Sequence, residues 1–251
     1  MQVSQQWQQL STATGPMRVL VLTPQARQPQ SFAAVLFYSE IFQITEPIRR
    51  AATMLAGLGF IVVVPEVFHE LNPLGTVLGY DDAGKDKGNQ DKWTKPLPSY
   101  DSDNQAMIDY LDTRSDWDGR LGAMGVCIGG HLAFRAALHP RVQATLCLYA
   151  TDLHSDTLPD GGQGQTLAQA GRIQGELMMV WGRQDPHVPF AGRQFIQQAL
   201  ELAQVHYTWH ELNAPHAFIR DEGERYDPAL THWVFAQAQH LFHSMPMRNR
   251  P

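Results

Sequence analysis

Cysteine is scarce in this chain. Cys127 and Cys147 are the two among 251 residues, and neither falls in a C-x-x-C pair or a zinc-ligand spacing. A disulfide-stapled module and a structural zinc site are therefore not expected, and the thiol usage points to a reducing compartment, the cytoplasm. Long apolar runs are missing too, so no segment is expected to span a bilayer. The opening stretch, Met1 to Leu10, is glutamine-rich and lacks the basic and apolar regions of a signal peptide. Positive charge is not in excess: 19 Lys and Arg stand against 25 Asp and Glu, a net charge of -6. That balance argues against nucleic acid or an anionic membrane as the main partner. No internal repeat or domain-splitting linker is visible. With 43% hydrophobic and 18% charged residues, the chain has a globular composition. Its length suits one α/β domain over 1–251.

Strands alternate with helices along the chain, which predicts a mostly parallel sheet covered on both faces. Val3 to Leu10 and Met17 to Leu22 flank a turn cluster and predict an antiparallel edge hairpin. Phe32 to Tyr38, Phe60 to Val64, Leu121 to Met124, Ala144 to Tyr149 and Leu177 to Trp181 read as buried strands, and His206 to Leu212 alternates as one. Helices are expected from Glu46 to Leu58, capped by Thr45, and from Asp101 to Thr113. Others follow Cys127 to His139, Phe190 to Gln204 and Pro228 to His243. Residues 65–99 show no clear period and are expected to be a lid or a long loop. The charges from Asp81 to Lys92 within it read as solvated surface. Asp152 to Arg172 is a second glycine-rich loop.

The segment Leu121 to Phe134 holds Gly125-Val126-Cys127-Ile128-Gly129. This is the nucleophile-elbow pattern Gly-x-Nuc-x-Gly with a thiol in place of a hydroxyl. A strand turning into a helix within so few residues crowds its own backbone, so side chains at Gly125 and Gly129 would clash. The helix N-terminus also favours a negative sulfur. Ligand sites in such sheets gather at the C-terminal ends of strands. Glu40, Cys127, Asp185 and His216 each follow a strand there. The chain order of nucleophile, acid and histidine is that of α/β-hydrolases. A thiol needs a base, which His216 supplies, and Asp185 would orient its ring. The amides of Ile41 and Ile128 are the natural oxyanion donors. Glu40 places a second carboxylate near the thiol, where it would act as a switch.

Together these segments resemble the dienelactone hydrolase family. The matching pieces are Leu121 to Phe134, Tyr38 to Phe42, Trp181 to Asp185, Pro215 to Phe218 and Arg225 to Pro228. The resemblance covers roughly residues 30 to 243. It implies an α/β-hydrolase fold, a Cys-His-Asp hydrolase of esters or lactones, and a glutamate that gates the thiol. Those roles fall on Cys127, His216, Asp185 and Glu40, with oxyanion amides on Ile41 and Ile128. The family's substrate-carboxylate arginine, four positions after the histidine, falls on Arg220. A second arginine is not found between Glu66 and Tyr100, where only Lys85, Lys87, Lys92 and Lys95 could substitute. A dienelactone-like substrate is one expectation; a broader carboxylesterase or thioesterase, or a non-catalytic relative with Cys127 as a sensor thiol, are others. The expected partner is a small-molecule ester or lactone, with no cofactor and no metal.

Plainer roles stand beside these. Asp152 also follows a strand and rivals Asp185 as the acid. His187 reads as a surface turn residue, His131 as packing and Cys147 as inert core. Arg220 has Asp221, Glu222 and Glu224 close by as ion-pair partners. Tyr80 and Trp93 are candidates to line a pocket.

Overall fold

The computed structural model describes residues 1–159 and 164–247. Among these described residues, eight strands form one sheet in the order β1-β2-β4-β3-β5-β6-β7-β8. They are β1 (Gln2–Thr12), β2 (Gly15–Gln25), β3 (Phe32–Tyr38), β4 (Ile61–Pro65), β5 (Trp117–Val126), β6 (Ala144–Leu148), β7 (Glu176–Gly182) and β8 (Tyr207–Leu212). From β3 to β8 every pairing is parallel, while β1 and β2 run antiparallel at one edge. This is the α/β-hydrolase architecture expected, with a hairpin of 11 residues per strand.

The continuous apolar sequence of β3 follows from its place in the middle. Ala34, Leu36 and Tyr38 pack on one face of the sheet, and Ala33, Val35 and Phe37 on the other. A strand covered on both sides has no use for polar alternation. Helices α1 (Glu46–Gly57) and α6 (Pro228–His243) contribute to one layer, while α3 (Leu97–Asp112) and α4 (Ile128–Ala137) contribute to the other. All ten residues of α4 are buried. Helix α5 (Phe190–Leu202) also joins the α3 side, through Ile196 and Leu200. Register then sets the site: Tyr38 pairs with Gly125, and Val126 with Leu148. The loops leaving β3, β5 and β6 therefore emerge side by side.

Four expectations need correction. Thr45 precedes α1 but makes no side-chain cap. Its Oγ1 is spent instead on the Tyr80 hydroxyl, 2.7 Å away. Residues 65–99 are not one long loop: helix α2 (Asp82–Thr94) lies inside them, and α3 begins at Leu97 rather than Asp101. Asp81 caps α2 by accepting a 2.8 Å bond from the Gly84 amide. The buried residues of α2 are Gly84, Gly88, Asp91 and Lys92. A helix that buries glycine and charge has no hydrophobic period to read. For the same reason the Asp81 to Lys92 charges are not all solvated. Of the glycine-rich loop, Leu167–Arg172 forms a 3₁₀ turn, and residues 160–163 lie outside the described residues.

A buried charge cluster fastens this region to the body. Lys95, 1% exposed, reaches Asp103 at 2.5 Å, Glu70 at 2.9 Å and the Val67 carbonyl at 2.8 Å. His69 adds a 3.0 Å contact to Asp103. Ionised groups leave water only when paired this closely. Removing one partner strands the others, so Lys95→Met should lower unfolding free energy by about 3 kcal/mol in urea titration. A loss below about 1 kcal/mol would show the cluster to be passive.

Candidate active site

Cys127 stands between the end of β5 and the start of α4 at φ 60° and ψ −126°. Its flanking glycines have no room for a side chain. A Cβ on Gly125 would sit 1.8 Å from the Gly129 carbonyl oxygen, and one on Gly129 would sit 2.2 Å from that of Tyr38. Gly130 is also tight, its Cβ falling 2.8 Å from the Leu148 carbonyl oxygen. The turn is locked further by Cys127 donating its amide to Leu148 and accepting on its carbonyl from Gly130 and Thr151. These contacts hold a positive-φ residue in place and leave its side chain partly exposed at a pocket of about 930 Å³.

His216 enters the same pocket from the loop after β8. Its Nδ1 lies 2.7 Å from Asp185 Oδ2, and both residues are buried. Asp185 Oδ1 accepts a 2.8 Å bond from the His187 amide, which fixes the carboxylate. Burial alone would drive the His216 proton off. The negative charge on Cys127 and the hydrogen bond to Asp185 outweigh it and push the ring's pKa up to about 10. Burial likewise works against the Asp185 carboxylate, but the His216 hydrogen bond and charge hold it below the usual range.

Glu40 leaves β3 and lines the pocket while almost wholly buried. Burial raises its pKa, opposed by the charges of Arg220 and His216. Its carboxylate lies 3.5 Å from Arg220 Nη1. Arg220 is thus not held by the acids nearest it in sequence. Its guanidinium stacks 4.3 Å over Tyr80, and Nε donates to the Glu222 backbone carbonyl. Asp221 is taken by Arg50 through bonds of 2.6 and 2.9 Å. Ile41 lines the pocket beside Glu40, and Ile128 opens α4 directly after Cys127.

Among the rivals, Asp152 does line the pocket, but Lys92 Nζ binds its two oxygens at 2.8 and 2.9 Å and Thr157 adds a 2.7 Å bond. His131 is packing, as expected: burial lowers its pKa to about 4 and its Nδ1 meets the Thr151 carbonyl. Cys147 is wholly buried, which pushes its thiol far up. Tyr80 and Trp93 do line the pocket. His187 is exposed as expected of a turn residue, yet its ring stands edge-to-face on His216 with centroids 4.7 Å apart. On the other side Tyr149 packs on His216 at 4.9 Å. Tyr149, at the end of a buried strand, gave no signal beyond its position there. Lys95 is in the buried cluster and Lys92 in its ion pair, which leaves neither as a free cation. His69, Glu70 and Asp103 lie within 4.8 Å of one another. The Lys95 ammonium already supplies the positive charge they require.

Residues 17–245 match the model of the dienelactone hydrolase family. The chain belongs to that family. It is a hydrolase of the α/β-hydrolase fold. Among curated relatives it is 40% identical over 92% of its length to the "Putative carboxymethylenebutenolidase" of Saccharomyces cerevisiae, covering 88% of that protein. It is 26% identical over 76% of its length to the carboxymethylenebutenolidase of Pseudomonas putida, covering 77%. A dienelactone hydrolase-like promiscuous phosphotriesterase from metagenomic libraries superposes at a TM-score of 0.77 with 19% identity. That alignment covers 97% of this chain and 98% of the other, and at such identity it speaks to the fold alone. No helix among the described residues is long and apolar enough to cross a membrane.

The His216 environment predicts a measurable state. As pH rises through 6.5 the ring should keep its proton, releasing it only near 10. Nitrogen-15 NMR of the imidazole should show imidazolium at pH 8 in the wild type and a pKa moved down in Cys127→Ser, where the negative sulfur is gone. A wild-type transition near 6.5 would contradict this electrostatic picture.

Proposed function

We propose that the chain hydrolyses a small-molecule ester or lactone, of which a dienelactone-like compound is one, through an acyl-enzyme on Cys127. The observation that carries the proposal is the meeting of a positive-φ elbow thiol with a histidine bonded at 2.7 Å to a buried aspartate, in one pocket. Cys127 thiolate attacks the carbonyl carbon, and the electron pair moves to the oxygen. The amides of Ile41 and Ile128 donate to that oxyanion. Collapse breaks the bond to the alkoxy oxygen, which takes the proton of the His216 imidazolium. Neutral His216 then removes a proton from water as the water attacks the thioester. A second collapse returns the thiolate and releases the acid. Asp185 holds the ring oriented through both steps.

Glu40 and Arg220 divide the charge of the pocket in this reading. While Arg220 pairs with Glu40, the glutamate is drawn from the sulfur. An anionic group on the substrate would compete for Arg220 and free Glu40 to move, which is how a gate would work. The chain acts in this reading as one unit, with α2 as a wall over the site. A reducing compartment, such as the cytoplasm, suits a reaction that needs the free thiol at Cys127.

Cys127→Ala should reduce turnover of an activated ester such as p-nitrophenyl acetate by at least about a thousandfold, on the scale of losing a nucleophile that works with a base. Asp185→Asn should retain more than Cys127→Ala, since the nucleophile remains. Steady-state kinetics of the two variants decide this. Undiminished turnover by Cys127→Ala would end the proposal.

A further inference from the structure

We propose that Gly88 of α2 is a positioning residue for the oxyanion hole: lacking a side chain, it lets the helix rest on the backbone of Ile41 and hold that residue in place. The inference rests on the reading above that the Ile41 amide receives the oxyanion. A Cβ on Gly88 would lie 2.7 Å from the Ile41 carbonyl oxygen, 2.9 Å from its Cβ and 3.1 Å from its Cγ1. No other residue type could approach this closely without moving one of the two segments.

Helix α2 is a poor helix by sequence. It holds two glycines in its interior, at Gly84 and Gly88, and glycine is among the weakest helix formers. The two have different reasons. Gly84 is pressed against the Gly79 carbonyl oxygen, in the segment that leads into the helix. Gly88 is pressed against the loop that leaves β3 between Glu40 and Phe42. The rest of the segment is tied to the same loop. The Leu78 amide donates to the Phe42 carbonyl at 3.1 Å, the Tyr80 hydroxyl meets Thr45 at 2.7 Å, and the Phe42 and Tyr80 rings touch edge-on at 4.7 Å.

The far end of α2 is tied to the opposite side of the site. Lys92 binds Asp152, whose neighbour Thr151 donates its amide to the Cys127 carbonyl at 3.2 Å. The helix therefore bridges the two loops that flank the nucleophile, with Gly88 over the one that carries Ile41. An amide placed in advance stabilises an oxyanion without reorganising during the reaction, and a displacement of well under 1 Å weakens it.

Gly88→Ala tests this. Alanine is the better helix former, so α2 itself is favoured. The new methyl must move away from the Ile41 oxygen, from 2.7 Å to at least the 3.4 Å where ordinary contact begins. The expected result is a fall in kcat for p-nitrophenyl acetate of about ten- to a hundredfold, below the full loss of one oxyanion donor. KM should change less than about threefold on the same reasoning. Alkylation of Cys127 by iodoacetamide should stay within about twofold, because displacement at a saturated carbon forms no oxyanion. A methyl that merely disturbed the site would slow alkylation in step with turnover.

Gly57→Ala, in α1 with nothing within 4 Å of the new Cβ, serves as the control and should change none of these. Unchanged kcat in Gly88→Ala, or equal losses of kcat and alkylation, would overturn the proposal while leaving Cys127 as nucleophile. Turnover that survives Cys127→Ala would instead remove the reading on which it rests. Should Gly88→Ala fail to fold, the double variant Lys92→Met with Asp152→Asn releases the far end of α2 without stranding a charge. It should lower kcat several-fold with alkylation unchanged, and parallel losses or none would again overturn the proposal.

Discussion

The reversal of chain direction at Cys127 is the constraint on which the site depends. A strand must end, turn and become a helix around one residue held at φ 60°. Three glycines make this possible, because backbone oxygens of Gly129, Tyr38 and Leu148 occupy the space their side chains would need. The same contacts tie the turn to the ends of β3 and β6, its two sheet neighbours. The strain at Cys127 is thereby fixed by the sheet, and the sulfur is presented at the same rim as the loops of β3 and β8. Everything else in the pocket is placed relative to that point.

Charge organises the rest. His216 is buried, and burial alone would make it neutral, yet negative charge on Cys127 and the bond to Asp185 keep the proton on. The acid, the ring and the sulfur therefore act as one electrostatic unit. A second unit, Glu40 with Arg220, shares the pocket, and its guanidinium stacks over Tyr80. The third, Lys92 with Asp152, fastens α2 across the opening. The buried charges of the wall, Glu40, Lys92 and Asp152, each have a partner of opposite sign, as buried ionisable groups require.

How much of this the sequence shows differs by element. The strands β3 and β8 follow from an apolar run and alternation, and they and helix α6 fall where expected within a residue. The elbow shows itself because its glycines have a steric duty that leaves a local pattern. Asp185 and His216 show themselves by lying at strand ends in hydrolase order. Helix α2 does not, because it buries glycine, aspartate and lysine, and its stability comes from contacts distant in sequence. The pairing of Arg220 with Glu40, 180 residues earlier, is equally silent, as is the alternative use of Thr45 by Tyr80. Asp152 and Asp185 look alike in the sequence; Asp185 meets His216 because it leaves β7, the neighbour of β8, while Asp152 is taken by Lys92 on the unread helix.

An acyl group carried by Cys127 should be open to trapping. Intact-mass and peptide mass spectrometry of the His216→Ala variant after exposure to an activated acetyl ester tests it most directly, since loss of the base should slow the water step. A single acetyl increment is expected on the peptide containing Cys127, released by hydroxylamine as a thioester is. An unmodified Cys127 peptide, or an acetyl group on Cys147 or a lysine alone, would contradict it.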